Sequence, residues 1–352
     1  MPTSRIEGLR EWFLQNQRNF PWRHGTDPYE VWVSEVMLQQ TRASVVVPYF
    51  NRWKKQFPTL ESLAQAPLEE IFKAWEGLGY YSRARNLKKG AQQIIEKGGV
   101  FPSTREELVN IKGIGPYTAG AILSFAFHQR AAAVDGNVVR VVTRYLGMEG
   151  SLETSQAKRR IEQETLALLP EQESWVVMEG LIELGALVCL PKQPKCYSCP
   201  LRKGCVAFLQ QRVDQIPQKK EKKQTTFLQH QVLVFLSSDN SVLIQIQEEG
   251  KVLGGLAQFP FFSYQAIQDL EEEVKTAFPC LEVDKQEDLS MQKESFTRYQ
   301  VELHPVLLSV KVKKEVLGYH WHSLEKLIHS FSFSSGHRRI LRELYQIIGA
   351  SL

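Results

Sequence analysis

At 352 residues, 43% hydrophobic and 23% charged, the chain has an ordinary globular composition and the length of two domains. No apolar run nears the roughly 18 residues of a membrane span, and the opening MPTSRIEGLREWFLQNQ is polar and amphipathic rather than signal-like, so membrane classes are set aside and a cytoplasmic location is expected. Residues 1–212 carry 27 Lys and Arg against 21 Asp and Glu, a net of +6, whereas residues 213–352 carry 16 against 18, a net of −2; this excess hints at a polyanionic partner without requiring one.

From the N-terminus the runs SRIEGLREWFLQNQ, EVWVSEVMLQQTR, LEEIFKAWEGL, RARNLKKGAQQIIEK, AGAILSFAF and SWVVMEGLIELGALV recur at three and four residues, which predicts helices. In DPYEVWVSEVML, Asp27 and Pro28 form a cap and first helical residue, and Glu35 falls among Val31, Trp32, Leu38 and Gln39. A carboxyl in such company has a raised pKa and suits proton donation near neutrality. The ordinary alternative is a Glu at the solvent boundary of an amphipathic helix.

The stretch LVNIKGIGPYTAGAI reads as helix, glycine hairpin, helix, with Gly113 and Gly115 free to adopt angles denied to other residues and Pro116 in a first helical turn. Bare N–H groups at such a helix start favour an anion. An arbitrary G-x-G is more often a tight turn between packed helices, but the string hydrophobic-Lys112-Gly-hydrophobic-Gly matches the helix-hairpin-helix element, which favours DNA phosphate. Asp135, before Gly-Asn, begins a helix predicted over 136–146 and can be simply its N-cap.

Cys189, Cys196, Cys199 and Cys205 follow as C-x6-C-x2-C-x5-C, with Cys280 alone far away. Disulfides are disfavoured in a cytosolic chain, so a metal group is the leading explanation. One tight pair with longer arms, in place of two facing C-x2-C knuckles, points to one 4Fe-4S cluster, with structural zinc as the alternative. Lys192, Lys195, Arg202 and Lys203 make this loop basic.

RVDQIPQKKEKKQTT, with Lys219, Lys220, Lys222 and Lys223, reads as a solvated linker over 213–226. Beyond it HQVLVFLSS, VLIQIQ, YQVELHPVLLSV and YHWHS read as strands and 264–276 and 335–348 as helices. The expected fold is multidomain: an all-α module over 1–212, with its cysteine loop at 189–205, then a smaller α+β domain over 227–352.

The hairpin, Asp135 in VDGNVVRV and the cysteine loop together resemble the endonuclease III superfamily of helix-hairpin-helix base-excision DNA glycosylases. Within it PWR, DPYEVWVSEVMLQQTR, GLGYYSRARNL, AVDGNVVRV and LIELGALVC resemble the MutY family of adenine DNA glycosylases, over about residues 5–212. The resemblance implies a six-helix barrel plus an iron–sulfur domain, and removal of adenine paired with 8-oxoguanine or guanine from duplex DNA by a monomer. It assigns Glu35 as the acid that protonates adenine at N7 and Asp135 as the carboxylate, held ionised by its cap, that stabilises the oxocarbenium-like sugar or traps it transiently before water completes hydrolysis. Asn137 would support that carboxylate and a phosphate. Tyr117 stands where relatives that also cut the backbone carry a Schiff-base lysine, which implies a monofunctional enzyme with Tyr117 near the sugar; a tyrosine with its hydroxyl directed outward is the alternative. Arg18, Trp22, Arg23 and Glu179 fall at the adenine pocket, and Gln40 and Tyr80 at the intercalating positions, with Lys112, Gly113 and Gly115 on the DNA backbone.

Residues 227–352 resemble, more faintly, the family's Nudix-like (MutT-like) 8-oxoguanine-reading domain. GLAQFP carries Ala257 where tryptophan is common, and AIQDLEEEVKT lacks the glycine and arginine frame of the Nudix signature, so nucleotide hydrolysis is not expected. Phe296, Thr297 and Arg298 align with a Phe-Ser-His reading loop, with arginine in place of histidine. Two rivals are a bifunctional pyrimidine glycosylase, opposed by Tyr117, and a noncatalytic iron–sulfur DNA-binding protein, opposed by the joint presence of Glu35 and Asp135.

Overall fold

A computed structural model describes residues 7–152, 154–218, 224–248, 250–264, 269–296 and 298–349. It divides into two compact units, Met1–Gln65 with Asn86–Glu221, and Ala66–Arg85 with Lys222–Leu352. The second unit thus takes in a segment from the middle of the helical region, where the sequence suggests one continuous module over 1–212.

The helices in chain order are α1 (Glu7–Asn16), α2 (Pro28–Leu38), α3 (Ala43–Gln56), α4 (Leu60–Gln65), α5 (Leu68–Trp75), α6 (Ser82–Glu96), α7 (Arg105–Val109), α8 (Pro116–Ala121), α9 (Gly136–Leu146), α10 (Ser155–Leu168), α11 (Ser174–Leu187) and α12 (Val206–Leu209). In the first unit α2 is apolar on nearly every side, with Tyr29, Val31, Trp32, Val33, Val36 and Met37 buried, as befits a central helix rather than a surface one. Around α9 and α11 a core forms from Val138, Val141, Val142, Met178, Leu181 and Leu184, with Leu9 from α1. The predicted helix AGAILSFAF is shorter than expected: α8 stops at Ala121 and a π-turn covers Ile122–Ala126. Gly120 explains the close passage there, since a Cβ would lie 2.0 Å from the Ala132 carbonyl oxygen.

The expected linker begins as packed structure. Ile216 is buried and its carbonyl accepts a 2.8 Å bond from Arg144 Nε, so 213–218 is held within the first unit; Lys219, Lys220, Lys222 and Lys223 lie outside the described residues.

The second unit is a mixed sheet of β1 (Thr226–Ser237), β2 (Ser241–Ile246), β3 (Ala257–Gln258), β4 (Phe261–Ser263), β5 (Val283–Asp288), β6 (Gln292–Phe296), β7 (Tyr299–Val310) and β8 (His320–Ser323). Its main path runs β3-β2-β1-β7-β5, with β1 and β7 parallel along their whole length and the remaining pairs antiparallel. Alternation along β1 sends Val232 and Val234 into one core and Leu233 and Phe235 into another. Against the sheet lie α13 (Leu270–Ala277), α14 (Leu324–Ser330) and α15 (Ser335–Gly349). The core around Val274 of α13 lies on one face of the sheet, and that around Leu327, Ile340 and Leu344 of α14 and α15 on the other. Within the predicted helix 264–276, residues 265–268 lie outside the described residues, and α13 begins at the Asp269 cap.

Helix α5 belongs to this unit through specific bonds. Lys73 Nζ donates to the Ile328 and Phe331 carbonyls at 2.6 and 3.3 Å, and Glu76 Oε1 accepts from Arg338 Nε at 2.7 Å and from the Phe333 N–H at 3.2 Å. Gly255, at φ +83, is closed in by Phe72, which would lie 2.7 Å from a Cβ there.

Candidate active site

A cleft of about 940 Å³ in the first unit is lined by Glu35, Tyr117, Asp135, Asn137, Glu179, Arg18, Trp22, Arg23 and Gln40, so nine residues singled out in the sequence meet in one place. Its volume suits a small organic group.

Glu35 reaches the cleft because α2 starts where Asp27 accepts the Tyr29 N–H at 2.9 Å and Pro28 takes the first helical position. The Glu35 side chain is 6% exposed, and burial pushes its pKa up to about 7. A hydrogen bond from the Tyr117 hydroxyl and the Arg23 charge oppose that rise, while Asp135 and Glu179 add to it. Tyr117 therefore turns its hydroxyl inward onto Glu35 Oε2. Burial, then the Glu35 and Asp135 charges, hold the phenol well above its ordinary range, so it is a neutral donor.

Asp135 is the N-cap of α9. Its Oδ1 accepts the Asn137 and Val138 N–H groups at 2.9 and 2.8 Å, and its Oδ2 accepts Asn137 Nδ2 at 2.7 Å. The cap is only part of its electrostatics: burial pushes this carboxyl up, and the three bonds and Arg140 pull it down. Glu35 accepts one hydroxyl donor and Asp135 three N–H donors, so the two carboxyls of the cleft stand in different surroundings, the first suited to hold a proton and the second to hold a charge.

A chain of bonds runs behind Asp135. Asn137 Oδ1 accepts from Arg140 Nη2 at 2.8 Å, and Arg140 Nε donates to the Cys189 carbonyl at 2.6 Å. Arg140 lies in AVDGNVVRV and Gly185 in LIELGALVC, but neither is singled out by the sequence reading. Gly185 is needed because a Cβ there would come 2.6 Å from Asn137 Cβ and 3.0 Å from its backbone. Gly185→Ala is expected to displace Asn137, cost about 1–3 kcal/mol by overpacking, and slow the enzyme; an unaltered melting temperature and rate would refute this account.

The far wall is ionic. Pro21–Arg23 forms a short turn in which Trp22 is buried and stacks on Phe20 with ring centroids 4.8 Å apart. Arg23 Nε meets Glu179 Oε2 at 3.0 Å, and both Arg18 and Arg23 bond to Glu183, a buried residue that the sequence reading missed. The helical spacing of Glu179 and Glu183 on α11 could have found it.

At the hairpin, Gly113 has φ +87 and passes Asn86 so closely that a Cβ would lie 3.1 Å from Asn86 Cβ. Gly115 corrects the expectation: its φ of −92 is open to any residue and nothing of the chain lies within 4 Å of a Cβ there, so neither angle nor internal packing calls for glycine. Lys112 is exposed, with its N–H donating to Gln93 Oε1 at 2.7 Å. Gln40 and Tyr80 are both exposed and both left-handed, at φ +57 and +48, a conformation that non-glycine residues hold at some cost. Tyr80 belongs to the second unit, in the segment Ala66–Arg85.

A match to the HhH-GPD superfamily of base excision DNA repair proteins covers residues 33–170. The chain is 35% identical over 250 residues, 71% of each chain, to the adenine DNA glycosylase of Buchnera aphidicola subsp. Baizongia pistaciae. The chain belongs to the adenine DNA glycosylase family. Among solved structures it resembles a thermostable thymine-DNA glycosylase (30% identity, TM-score 0.55, 59% of this chain and 97% of that one) and endonuclease III in a non-covalent complex with DNA (26%, 0.51, 58% and 94%). As an adenine DNA glycosylase family member it is a base-excision enzyme with the helix-hairpin-helix glycosylase fold and a separate sheet-containing C-terminal unit.

The four loop cysteines of this family member are half-buried thiols, none in a disulfide. Arg144, 2% exposed, directs Nη1 to Cys189 Sγ at 3.4 Å, and its carbonyl accepts the Cys205 thiol at 3.5 Å. Burial pushes Cys199 up to about 12, and raises Cys196 and Cys205, with the neighbouring sulfurs adding to it. Among the described residues no three His, Cys, Asp or Glu side chains stand close enough to hold a single metal ion. In the second unit Phe296 and Arg298 flank the β6–β7 turn, where Arg298 Nη2 donates to the Tyr299 hydroxyl at 3.2 Å; Thr297 lies outside the described residues. Among the described residues no helix is long and apolar enough to cross a membrane.

Proposed function

We propose that this enzyme hydrolyses the N-glycosidic bond of adenine mispaired with 8-oxoguanine or guanine in duplex DNA, acting as a monomer and leaving an abasic site. The observation that carries the chemistry is the pairing, in one cleft, of a buried carboxyl with a pKa near 7 and a second carboxylate held by three N–H donors.

Glu35 gives its proton to N7 of the flipped adenine, which makes the base a neutral leaving group. As the bond breaks, positive charge develops on the sugar, and Asp135 stabilises it electrostatically until water adds to the sugar carbon. The water's proton returns to Glu35. Tyr117 supports Glu35 and, having no amine, cannot form an imine with the opened sugar, so the strand stays intact. Arg23 and Glu179 offer a donor and an acceptor to the base edge, beside Trp22. Gln40 fills the duplex where the base leaves, Tyr80 is by the resemblance an intercalating residue as well, and Lys112, Gly113 and Gly115 meet phosphate, for which the open side of Gly115 leaves room. Incubation with duplex containing adenine opposite 8-oxoguanine tests this: strand breaks are expected only after alkali. Breaks without alkali would favour the bifunctional reading, and no breaks at all the noncatalytic one.

Cys189, Cys196, Cys199 and Cys205 would hold one 4Fe-4S cluster, which would brace the basic loop of Lys192, Lys195, Arg202 and Lys203 against DNA. Four half-buried thiols from one loop, none in a disulfide, supply the four thiolate ligands such a cluster takes, and Arg144 is placed to bond a bound sulfur. The purified protein should be brown with about four irons per chain; a colourless protein with one zinc would overturn this.

The C-terminal unit we read as Nudix-like and as the reader of 8-oxoguanine, through Phe296, Thr297 and Arg298. Arg298→Ala in the full chain should weaken binding to adenine opposite 8-oxoguanine by about 1–3 kcal/mol, with less loss for adenine opposite guanine. Equal losses on both duplexes, with a shallower salt dependence, would make Arg298 a phosphate contact instead.

A further inference from the structure

We propose that Glu183 is a positioning residue for this reaction: without touching the base, it fixes the orientation and the net charge of the Arg18 and Arg23 pair that lines the cleft. The inference rests on the reading of the cleft as the site of base excision.

Glu183 is completely buried, one turn beyond Glu179 on α11. A buried carboxylate persists only when it is paired and hydrogen-bonded, and here both oxygens are used. Oε1 accepts the Arg18 backbone N–H at 3.1 Å and Arg18 Nε at 2.6 Å, while Oε2 accepts Arg18 Nη2 at 3.1 Å and Arg23 Nη2 at 3.0 Å. The fork of Arg18 is thus bidentate, the arrangement in which an arginine is held in plane. Arg23 Nη1 closes the network on the Arg18 carbonyl at 2.9 Å, leaving Nε for Glu179 at 3.0 Å. Each arginine also lies over the Phe20 ring. Glu183 therefore ties together two residues 160 and 165 positions away.

The charges balance as well. Arg18 and Arg23 face Glu179 and Glu183, two cations against two anions in one wall. Burial works against the Glu183 charge, but the Arg18 and Arg23 donors together hold its carboxyl below the usual range, so it is an anion. Glu35 feels Tyr117 from α8, Asp135 from the start of α9, Glu179 from α11 and Arg23 from the Pro21–Arg23 turn, and of these Arg23 and the Tyr117 hydroxyl favour its ionised form. Removing the Glu183 charge leaves two cations against Glu179 alone, beside a group that must carry a proton to work.

The test is the pH profile of single-turnover adenine release by the intact protein. Wild-type rates should fall as pH rises through about 7. Glu183→Gln keeps the shape and removes the charge, so its midpoint should move to lower pH by about one unit, making the rate above pH 7 about tenfold lower, with a smaller loss at low pH. Arg18→Gln takes a cation from the same wall, and its midpoint should move the other way; this half-exposed variant carries the test if Glu183→Gln does not fold. A uniform loss of rate with the midpoint unmoved in the folded variants would overturn the proposal and leave Glu183 a structural brace. A wild-type protein that releases no adenine at any pH would instead defeat the functional reading on which it rests.

Discussion

Glu35→Gln is expected to lower single-turnover adenine release by about 10²–10⁴-fold, the usual cost of losing a general acid, while duplex binding persists. Gln keeps the length and can still accept the Tyr117 hydroxyl, so the loss isolates the proton. Near-normal release by this variant would sink the assignment. A stability effect of opposite sign should accompany it. In the unfolded chain the Glu35 carboxyl loses its proton near pH 4.5, and in the folded protein only near 7. Between these values the folded state binds more protons, so stability falls as pH rises, by about 1.4 kcal/mol per unit. Below pH 4.5 this contribution is fully present, and above 7 it is gone. The Gln variant does not pass through this loss, so relative to wild type it should melt higher at pH 8 than at pH 4; calorimetry at the two pH values decides.

Asp135→Asn should reduce the rate by about 10²–10³-fold, as loss of one electrostatic partner of a developing charge does. Asn is as good an N-cap as Asp, so α9 should start where it does now, and the stability should fall only by about the 1 kcal/mol of the lost Asn137 Nδ2 bond to Oδ2. The charge is removed and the helix start kept. Loss of folding in this variant would mean that the capping role dominates, and unchanged kinetics that the sugar cation is stabilised elsewhere.

What could be read in the sequence was local. Asp27-Pro28 marks the start of α2, Gly113 the hairpin and Asp135 the start of α9, each within a few residues of the feature it specifies. The apolar register of α2 is enough to single out Glu35, although the helix is buried on nearly every side rather than on one. The long-range partners were not legible. Glu183 matters through Arg18 and Arg23, Gly185 through Asn137, and Arg140 through the Cys189 carbonyl, and no short-range periodicity encodes such pairs. Gly115 was misread for a related reason: a glycine string suggests unusual angles, and only coordinates distinguish a strained glycine from an uncovered one.

The placement of Ala66–Arg85 in the second unit bears on how the protein can be taken apart. By this division the chain passes from one unit to the other at 65, 85 and 221. Cutting the peptide once between 218 and 224 leaves α5 held through Glu76, Arg338 and Lys73, so the two fragments should stay together in native buffer and separate only in denaturant. Deleting the C-terminal residues is a harsher operation, because it takes Arg338 and the Phe333 N–H from Glu76 and the Gly255 backbone from Phe72, in the segment that carries Tyr80. A truncated enzyme that has lost its lesion preference has therefore also been altered in a turn assigned to DNA. Single substitutions in the undivided chain keep those two losses apart.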